Sequence, residues 1–135
     1  MKLDFVVSFP DSQSQGESMK RDMDLVRKIL FEIESRPDTG VCFEVQVSGV
    51  PQAAVFYHVR LMAEAGLIEA MNLTTDDLRW EAVRLTWQGH EFLDAARDDT
   101  VWNKGMELAK KTSGSLAFEG LKAVLIKLAS LQIGL

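Results

Sequence analysis

The sequence predicts an α+β fold that is mainly helical and contains a small β-sheet. Long stretches after residue 18 place apolar residues three or four positions apart, the spacing of one helix face, and three shorter runs are typical of strands. The chain has 135 residues, of which 47% are hydrophobic and 26% charged. This is the composition of one folded globular domain.

The first predicted elements are a helix and a strand. From Met19 onwards, the apolar residues between Met23 and Ile33 repeat at helical spacing until Pro37 and Gly40 stop the helix. Apolar and polar residues then alternate strictly over Val41–Val47, which predicts a strand with one buried face.

A second helix and a β-hairpin are predicted next. Pro51 suits the first turn of a helix that extends to Ala65, and Gly66 follows it in the position of a left-handed cap. The runs Leu67–Leu73 and Trp80–Leu85 are typical of strands, and the loop between them is rich in turn-forming residues. These two runs predict a β-hairpin.

The remaining chain is predicted to be helical. Thr86 can cap one helix, Asp98 or Asp99 can cap the next, and Ser115 precedes a final amphipathic helix. The apolar stripe of the final helix contains Leu121, Val124, Leu125, Leu128 and Leu131.

The chain is predicted to have a leader, a domain and an extension. Residues 1–18 form the flexible leader, because Ser8–Ser18 is polar and without helical or strand period. We hypothesise that this leader is not translated, because codons for Gly16 and Glu17 can form a ribosome-binding sequence that would make Met19 the true start. A domain at 19–97 then precedes a C-terminal helical extension at 98–135, which packs on the domain or forms a dimer.

Charge and residue counts restrict the function classes. The 15 Lys and Arg against 20 Asp and Glu give a net charge of −5, which argues mildly against nucleic-acid binding because phosphates are bound mainly by lysine and arginine. With Cys42 as the only cysteine and two histidines, no disulfide, metal site or cofactor is predicted. The run from His90 to Asp94 lacks the second histidine of the zinc-protease motif. We expect a cytoplasmic protein that is not an enzyme and does not span a membrane.

Several segments resemble known families. The run YHVRLMAEAGLI from Tyr57 resembles the end of the recognition helix in ArsR-type regulators, and RLTWQGHEFL from Arg84 resembles the segment that follows their wing. MKRDMDLVRKIL and RLTWQGHEFLDAARDDTVWNK resemble an uncharacterised family of small bacterial and phage proteins, a domain of unknown function. These resemblances imply a winged helix-turn-helix domain with a C-terminal helical extension, of phage or mobile-element origin.

A winged helix of this kind implies a DNA-binding transcriptional regulator. The helix from Pro51 would enter the major groove of double-stranded DNA, and the loop between the two predicted strands would contact the adjacent backbone. The predicted DNA-binding residues are Gln52, Phe56, Tyr57, His58 and Arg60 on the helix and Thr75 and Arg79 on the loop.

Two alternatives stay open for this surface. Phe56 and Tyr57 either pack within the domain or bind another protein. A winged-helix interaction module without DNA binding would use this surface or the acidic region Asp94–Asp99. A histidine at the position of His58 is more often satisfied by a backbone or phosphate contact than used as a ligand.

The final helix has more apolar surface than one docking face requires. This excess predicts either burial within the monomer or a homodimer formed through the helix. The residues predicted for the dimer interface are Leu121, Leu125, Leu128 and Leu131.

Overall fold

The computed structural model describes residues 19–113 and 118–132, which form five helices and a two-stranded sheet. The predicted leader and Ser115 lie outside the described residues. The fold class, mainly α with a small β-sheet, is confirmed. The elements are α1 (Met23–Glu34), α2 (Gln52–Glu64), β1 (Ile68–Asn72), β2 (Trp80–Leu85), α3 (Trp87–Ala96), α4 (Asp99–Ser113) and α5 (Phe118–Gln132).

The chain divides into two compact units between Thr86 and Trp87. The first unit contains α1, α2 and the hairpin, and the second contains α3, α4 and α5. The predicted boundary, between residues 97 and 98, lies after α3, one helix later than this division. The difference arises because α3 packs against α4 and α5, with the ring of Phe92 edge-on to Trp102 at 6.3 Å.

Helix α1 is capped at its start and buries one face. The Asp22 carboxylate accepts hydrogen bonds from the backbone N–H groups of Asp24 and Leu25 at 3.0 and 3.2 Å, which satisfies two donors that a helix start leaves unpaired. Ile29 and Leu30 on the predicted stripe are completely buried. Helix α1 packs through this stripe in the core of the first unit, where its neighbours include α2 and β2.

The prediction of a strand over Val41–Val47 is wrong. The segment contributes one isolated bridge, in which Phe43 and Ala82 exchange backbone hydrogen bonds of 2.9 and 3.0 Å. A regular ladder does not continue from it, since the Val45 carbonyl accepts a hydrogen bond from the Gln52 side chain instead. Val45 is buried, as the alternation predicts, but Val41 is exposed.

The end of α2 is fixed by a Schellman motif. Gly66 has a φ of +79° and its N–H bonds the Ala63 carbonyl, while the N–H of Leu67 bonds the Met62 carbonyl. This confirms the predicted glycine cap. The chain therefore turns sharply into β1.

Strands β1 and β2 form the predicted antiparallel hairpin. Ile68 pairs with Leu85 and Asn72 with Trp80, with a bulge between Glu69 and Ala70. The loop of residues 73–79 closes with a 2.8 Å hydrogen bond from the Leu73 N–H to the Arg79 carbonyl.

The second unit is a helical cluster around large side chains. Phe92 and Trp102 are fully buried, and the Phe118 ring lies 5.1 Å from that of Phe92. The Asp98 carboxylate accepts the Val101 N–H at 3.0 Å, so Asp98 provides the predicted cap of α4.

Helix α5 presents two different sets of leucines. Leu121 and Leu125 are completely buried, so they belong to the core of the second unit and have no surface to offer a second copy. Leu128 is half-buried and Leu131 is 61% exposed. Of the four residues predicted for the dimer interface, only Leu128 and Leu131 therefore have surface available to a second copy, and the homodimer itself stays a prediction.

Candidate functional site

The first unit contains an open groove of about 420 Å³ between α2 and the hairpin loop, which we call the α2–loop groove. Helix α2 buries Val55 and Val59 against the core, which leaves the opposite face of the helix to form one wall. Its lining includes Phe56, Tyr57 and Arg60 from α2 and Leu78, Arg79 and Trp80 from the hairpin.

Arg60 lies at one end of the groove between two carboxylates. Its guanidinium is 3.3 Å from the carboxylate of Glu64, one helical turn later, and 3.3 Å from that of Asp77 on the loop. The guanidinium carbon also lies 5.9 Å from the centre of the Trp80 ring. Arg60 thus links α2 to the loop, and its positive charge is neutralised by carboxylates of its own chain.

Arg79 is held in the same way. Its Nη2 donates to the carboxylates of Glu81 at 2.7 Å and Glu44 at 3.1 Å, and its guanidinium carbon lies 5.5 Å from the Phe56 ring centre. The hydrogen bond to Glu81 is the main cause that raises the pKa of Arg79. The Arg79 guanidinium is therefore charged and paired with two carboxylates of its own chain.

The loop is ordered by its acidic side chains. The Asp76 carboxylate accepts hydrogen bonds from the Thr74 hydroxyl at 2.7 Å and the Leu78 N–H at 3.1 Å, and these bonds lower the pKa of Asp76. Asp77 adopts a φ of +67° and accepts a hydrogen bond from the Asn72 amide. These contacts hold the Asp77 carboxylate at the guanidinium of Arg60.

The first unit does not carry an excess of positive charge. Residues 19–86 contain eight Lys and Arg against eleven Asp and Glu. Around the groove, Arg60 and Arg79 are each paired with two acids. The groove therefore carries no net positive charge, because its carboxylates outnumber its arginines.

Two residues predicted to contact DNA are used inside the fold. The Gln52 amide donates to the Val45 carbonyl at 2.9 Å. His58 is only 3% exposed, and it accepts the Asp22 N–H at Nε2 and donates from Nδ1 to the Ala54 carbonyl, both at 2.9 Å. Because a backbone N–H only donates and a carbonyl only accepts, His58 is the neutral Nδ1–H tautomer. Neither side chain is placed to read a base.

The other predicted residues divide between the groove and the surface. Phe56, Tyr57, Arg60 and Arg79 come together in the groove, whereas Thr75 is exposed on the loop outside the lining. Leu78 also lines the groove and is 69% exposed, which the sequence does not predict, since an apolar side chain in a hairpin loop carries no signal of where it lies.

Cys42 lies near Glu81 and Arg79, and its thiol is held in the protonated form. Partial burial raises the pKa of Cys42 first, and a hydrogen bond to Glu81 raises it further. An activated nucleophile needs the opposite shift, because the thiolate is the reactive form. Its environment is that of a structural cysteine.

Two further findings concern the described ranges, 19–113 and 118–132. No helix there is long and apolar enough to cross a lipid bilayer. The same ranges contain no group of three or more His, Cys, Asp or Glu side chains placed to hold a metal ion.

Comparison with known proteins shows the family. Residues 20–115 match the family described as Hypothetical protein (DUF2513). The chain belongs to this family. An uncharacterised protein of Haemophilus influenzae is 40% identical to this DUF2513 chain over 108 residues, which cover 78% of this chain and 92% of the relative. No solved structure matches significantly. The predicted membership of a family of unknown function is confirmed, and the winged-helix resemblance stays a prediction.

Proposed function

We propose that this DUF2513 protein is a non-enzymatic interaction module whose α2–loop groove binds a segment of another protein. The observation that carries the proposal is the pairing of Arg60 and Arg79 with carboxylates of their own chain. A phosphate would have to displace these carboxylates and then remain close to them. Because DNA binding depends on cations that replace counterions on the phosphates, this groove suits DNA poorly.

The walls of the groove suit a protein partner. Phe56, Tyr57 and Trp80 are half-buried and line the groove, and Leu78 extends beside them with most of its surface exposed. Aromatic side chains are enriched in the cores of protein interfaces, where they supply a large contact area at low cost in side-chain entropy. Exposed apolar surface next to rigid aromatic walls is typical of a docking site.

A peptide-selection experiment tests this proposal. Peptides from a random display library are selected on the wild type, and their affinities are compared on two variants. Leu78→Ser removes the most exposed apolar side chain of the groove, and Leu73→Ser changes another exposed leucine of the same loop outside the lining. We expect Leu78→Ser to weaken binding at least about fivefold, since truncating an interface anchor costs more than about 1 kcal/mol.

The matched control decides between the outcomes. Leu73→Ser should bind the selected peptides as the wild type does. Peptides that bind Leu78→Ser at full strength, equal losses in both variants, or no enriched peptide at all would each contradict the proposal.

A second candidate is the DNA-binding transcriptional regulator. It is favoured by the placement of a helix and a hairpin loop side by side, and by the partial exposure of Arg60 and Arg79, whose side chains remain 38% and 44% accessible. In this case Arg60 would enter the major groove of double-stranded DNA and Arg79 would contact phosphate. Arg60→Ala would then weaken DNA binding by roughly 1–3 kcal/mol if the side chain reads a base.

A further inference from the structure

We infer that the segment bound in the α2–loop groove is apolar and carries lysine or arginine next to its apolar residues, an inference that rests on the proposed function. The Arg60 end of the groove places one guanidinium against the carboxylates of Glu64 and Asp77. These two side chains remain 59% and 43% exposed, so a cation from solvent can approach both carboxylates. The Arg60 end thus has one negative charge more than its own cation neutralises.

The Arg79 end of the groove is closed to a partner's cation. Glu81 is nearly buried beneath the Arg79 guanidinium, and Glu44 pairs with the same nitrogen of Arg79. A basic side chain of the partner therefore meets its carboxylates at the Arg60 end.

The loop adds a further charge to the same rim. The Asp76 carboxylate lines the groove and is held by the Thr74 hydroxyl and the Leu78 N–H, which favour its ionised form. Asp76, Asp77 and Glu64 therefore attract a cation together. Opposite charges a few ångströms apart act well within the Debye length of about 8 Å at physiological salt, so the preference should weaken as salt is raised.

The apolar part of the segment is set by the walls between these two ends. The ring of Phe56 lies 5.5 Å from the guanidinium carbon of Arg79, the ring of Trp80 lies 5.9 Å from that of Arg60, and Leu78 is exposed on the loop. Apolar side chains of the partner bury against these groups, while the adjacent basic side chain reaches the carboxylates of Glu64 and Asp77. The carboxylates therefore determine which segments are preferred, and the apolar contacts supply most of the binding energy.

A pair of charge-matched double variants tests this inference. Glu64→Gln with Asp77→Asn removes both carboxylates from Arg60 and keeps the shapes of the side chains, and asparagine tolerates the positive φ at position 77. The control combines Glu69→Gln with Asp94→Asn, which removes one carboxylate from Arg84 and one from Arg97 elsewhere on the surface. Both double variants therefore raise the net charge of the chain by the same amount.

The readouts are the composition and the affinity of peptides selected on the wild type. We expect enriched peptides to combine apolar residues with Lys or Arg, and we expect a synthetic copy to bind the Glu64→Gln/Asp77→Asn variant about fivefold more weakly by fluorescence anisotropy. The control variant should bind as the wild type does, and the difference should shrink at high salt.

Failure of the inference differs from failure of the proposed function. Peptides that depend on Leu78 but are acidic or without charge preference overturn the inference and leave the groove as a docking site. Equal weakening in both double variants also overturns it, because the effect is then one of total charge. Peptides that bind without depending on Leu78 overturn the proposed function itself.

Discussion

His58 links the start of α1 to α2 through two hydrogen bonds on one buried ring. His58→Phe keeps a ring in the site and leaves the Asp22 N–H without its acceptor, so we expect a loss of about 1–3 kcal/mol in the free energy of unfolding. His90→Phe on the exposed surface of α3 should change stability by less than about 0.5 kcal/mol. Urea unfolding measures both, and equal stability of the two variants would contradict the structural role of His58.

The pKa of the Cys42 thiol depends on the charge of Glu81. Alkylation of the protein measures this pKa directly, because Cys42 is the only cysteine in the chain. Burial raises the pKa of the Cys42 thiol, and the Glu81 carboxylate raises it further, so the thiol is protonated at neutral pH. Glu81→Gln removes the negative charge and leaves Arg79 nearby, which should lower the pKa of Cys42 and move the onset of alkylation by iodoacetamide to lower pH. Glu69→Gln is the control, and an unchanged pH profile in Glu81→Gln would show that Glu81 does not act on the thiol.

Helix α4 contains Gly105 in its interior and helix α5 contains Gly120 in its first turn, and the two glycines should respond in opposite ways to alanine. A Cβ at Gly105 would lie 2.7 Å from the Cδ2 of the buried Leu125, whereas a Cβ at Gly120 would meet open space. Gly105→Ala should therefore destabilise the second unit by about 1–3 kcal/mol through overpacking, and Gly120→Ala should stabilise it by less than about 1 kcal/mol through helix propensity. Circular dichroism during thermal unfolding measures the signs, and stabilisation by Gly105→Ala would contradict the packing of α4 on α5.

At the scale of elements, the sequence predicts what depends on neighbours along the chain. The helix spacing, the Asp98 cap and the Gly66 cap are local, and each is confirmed. The strand over Val41–Val47 failed because its hydrogen bonds depend on a distant strand and on the Gln52 side chain. The alternation predicts burial correctly at Val45 and wrongly at Val41, and it does not predict whether the backbone finds a partner.

At the scale of the whole molecule, the site was less predictable than the fold. The sequence predicts Phe56, Tyr57 and Arg60 on the outward face of the helix from Pro51, and Arg79 on the hairpin loop. The ion pairs of the two arginines are not predictable, because Glu44 pairs with Arg79 across 35 positions of sequence and Asp77 reaches Arg60 only through a turned loop. Contacts of this range are set by the tertiary fold, and no local pattern records them.

The homodimer stays a prediction, and the structure changes how it should be tested. Leu125→Ala should cost about 2–5 kcal/mol because Leu125 is in the core, whereas Leu131→Ala should change stability by less than about 0.5 kcal/mol. Leu131→Glu should therefore stay folded, and a homodimer formed through α5 should dissociate in this variant. Sedimentation equilibrium at micromolar concentration measures the mass, and a dimer unaffected by Leu131→Glu would place the interface elsewhere.

The central claim is that the arginines of the α2–loop groove are neutralised by their own chain, which directs the groove to a protein partner. Fluorescence anisotropy with a random-sequence DNA duplex at about 50 mM salt tests this claim most directly, because low salt favours any phosphate-driven binding. We predict no saturable binding by the wild type under these conditions. Saturable binding that falls steeply with salt and is weakened by Arg60→Ala would contradict the claim and favour the DNA-binding regulator.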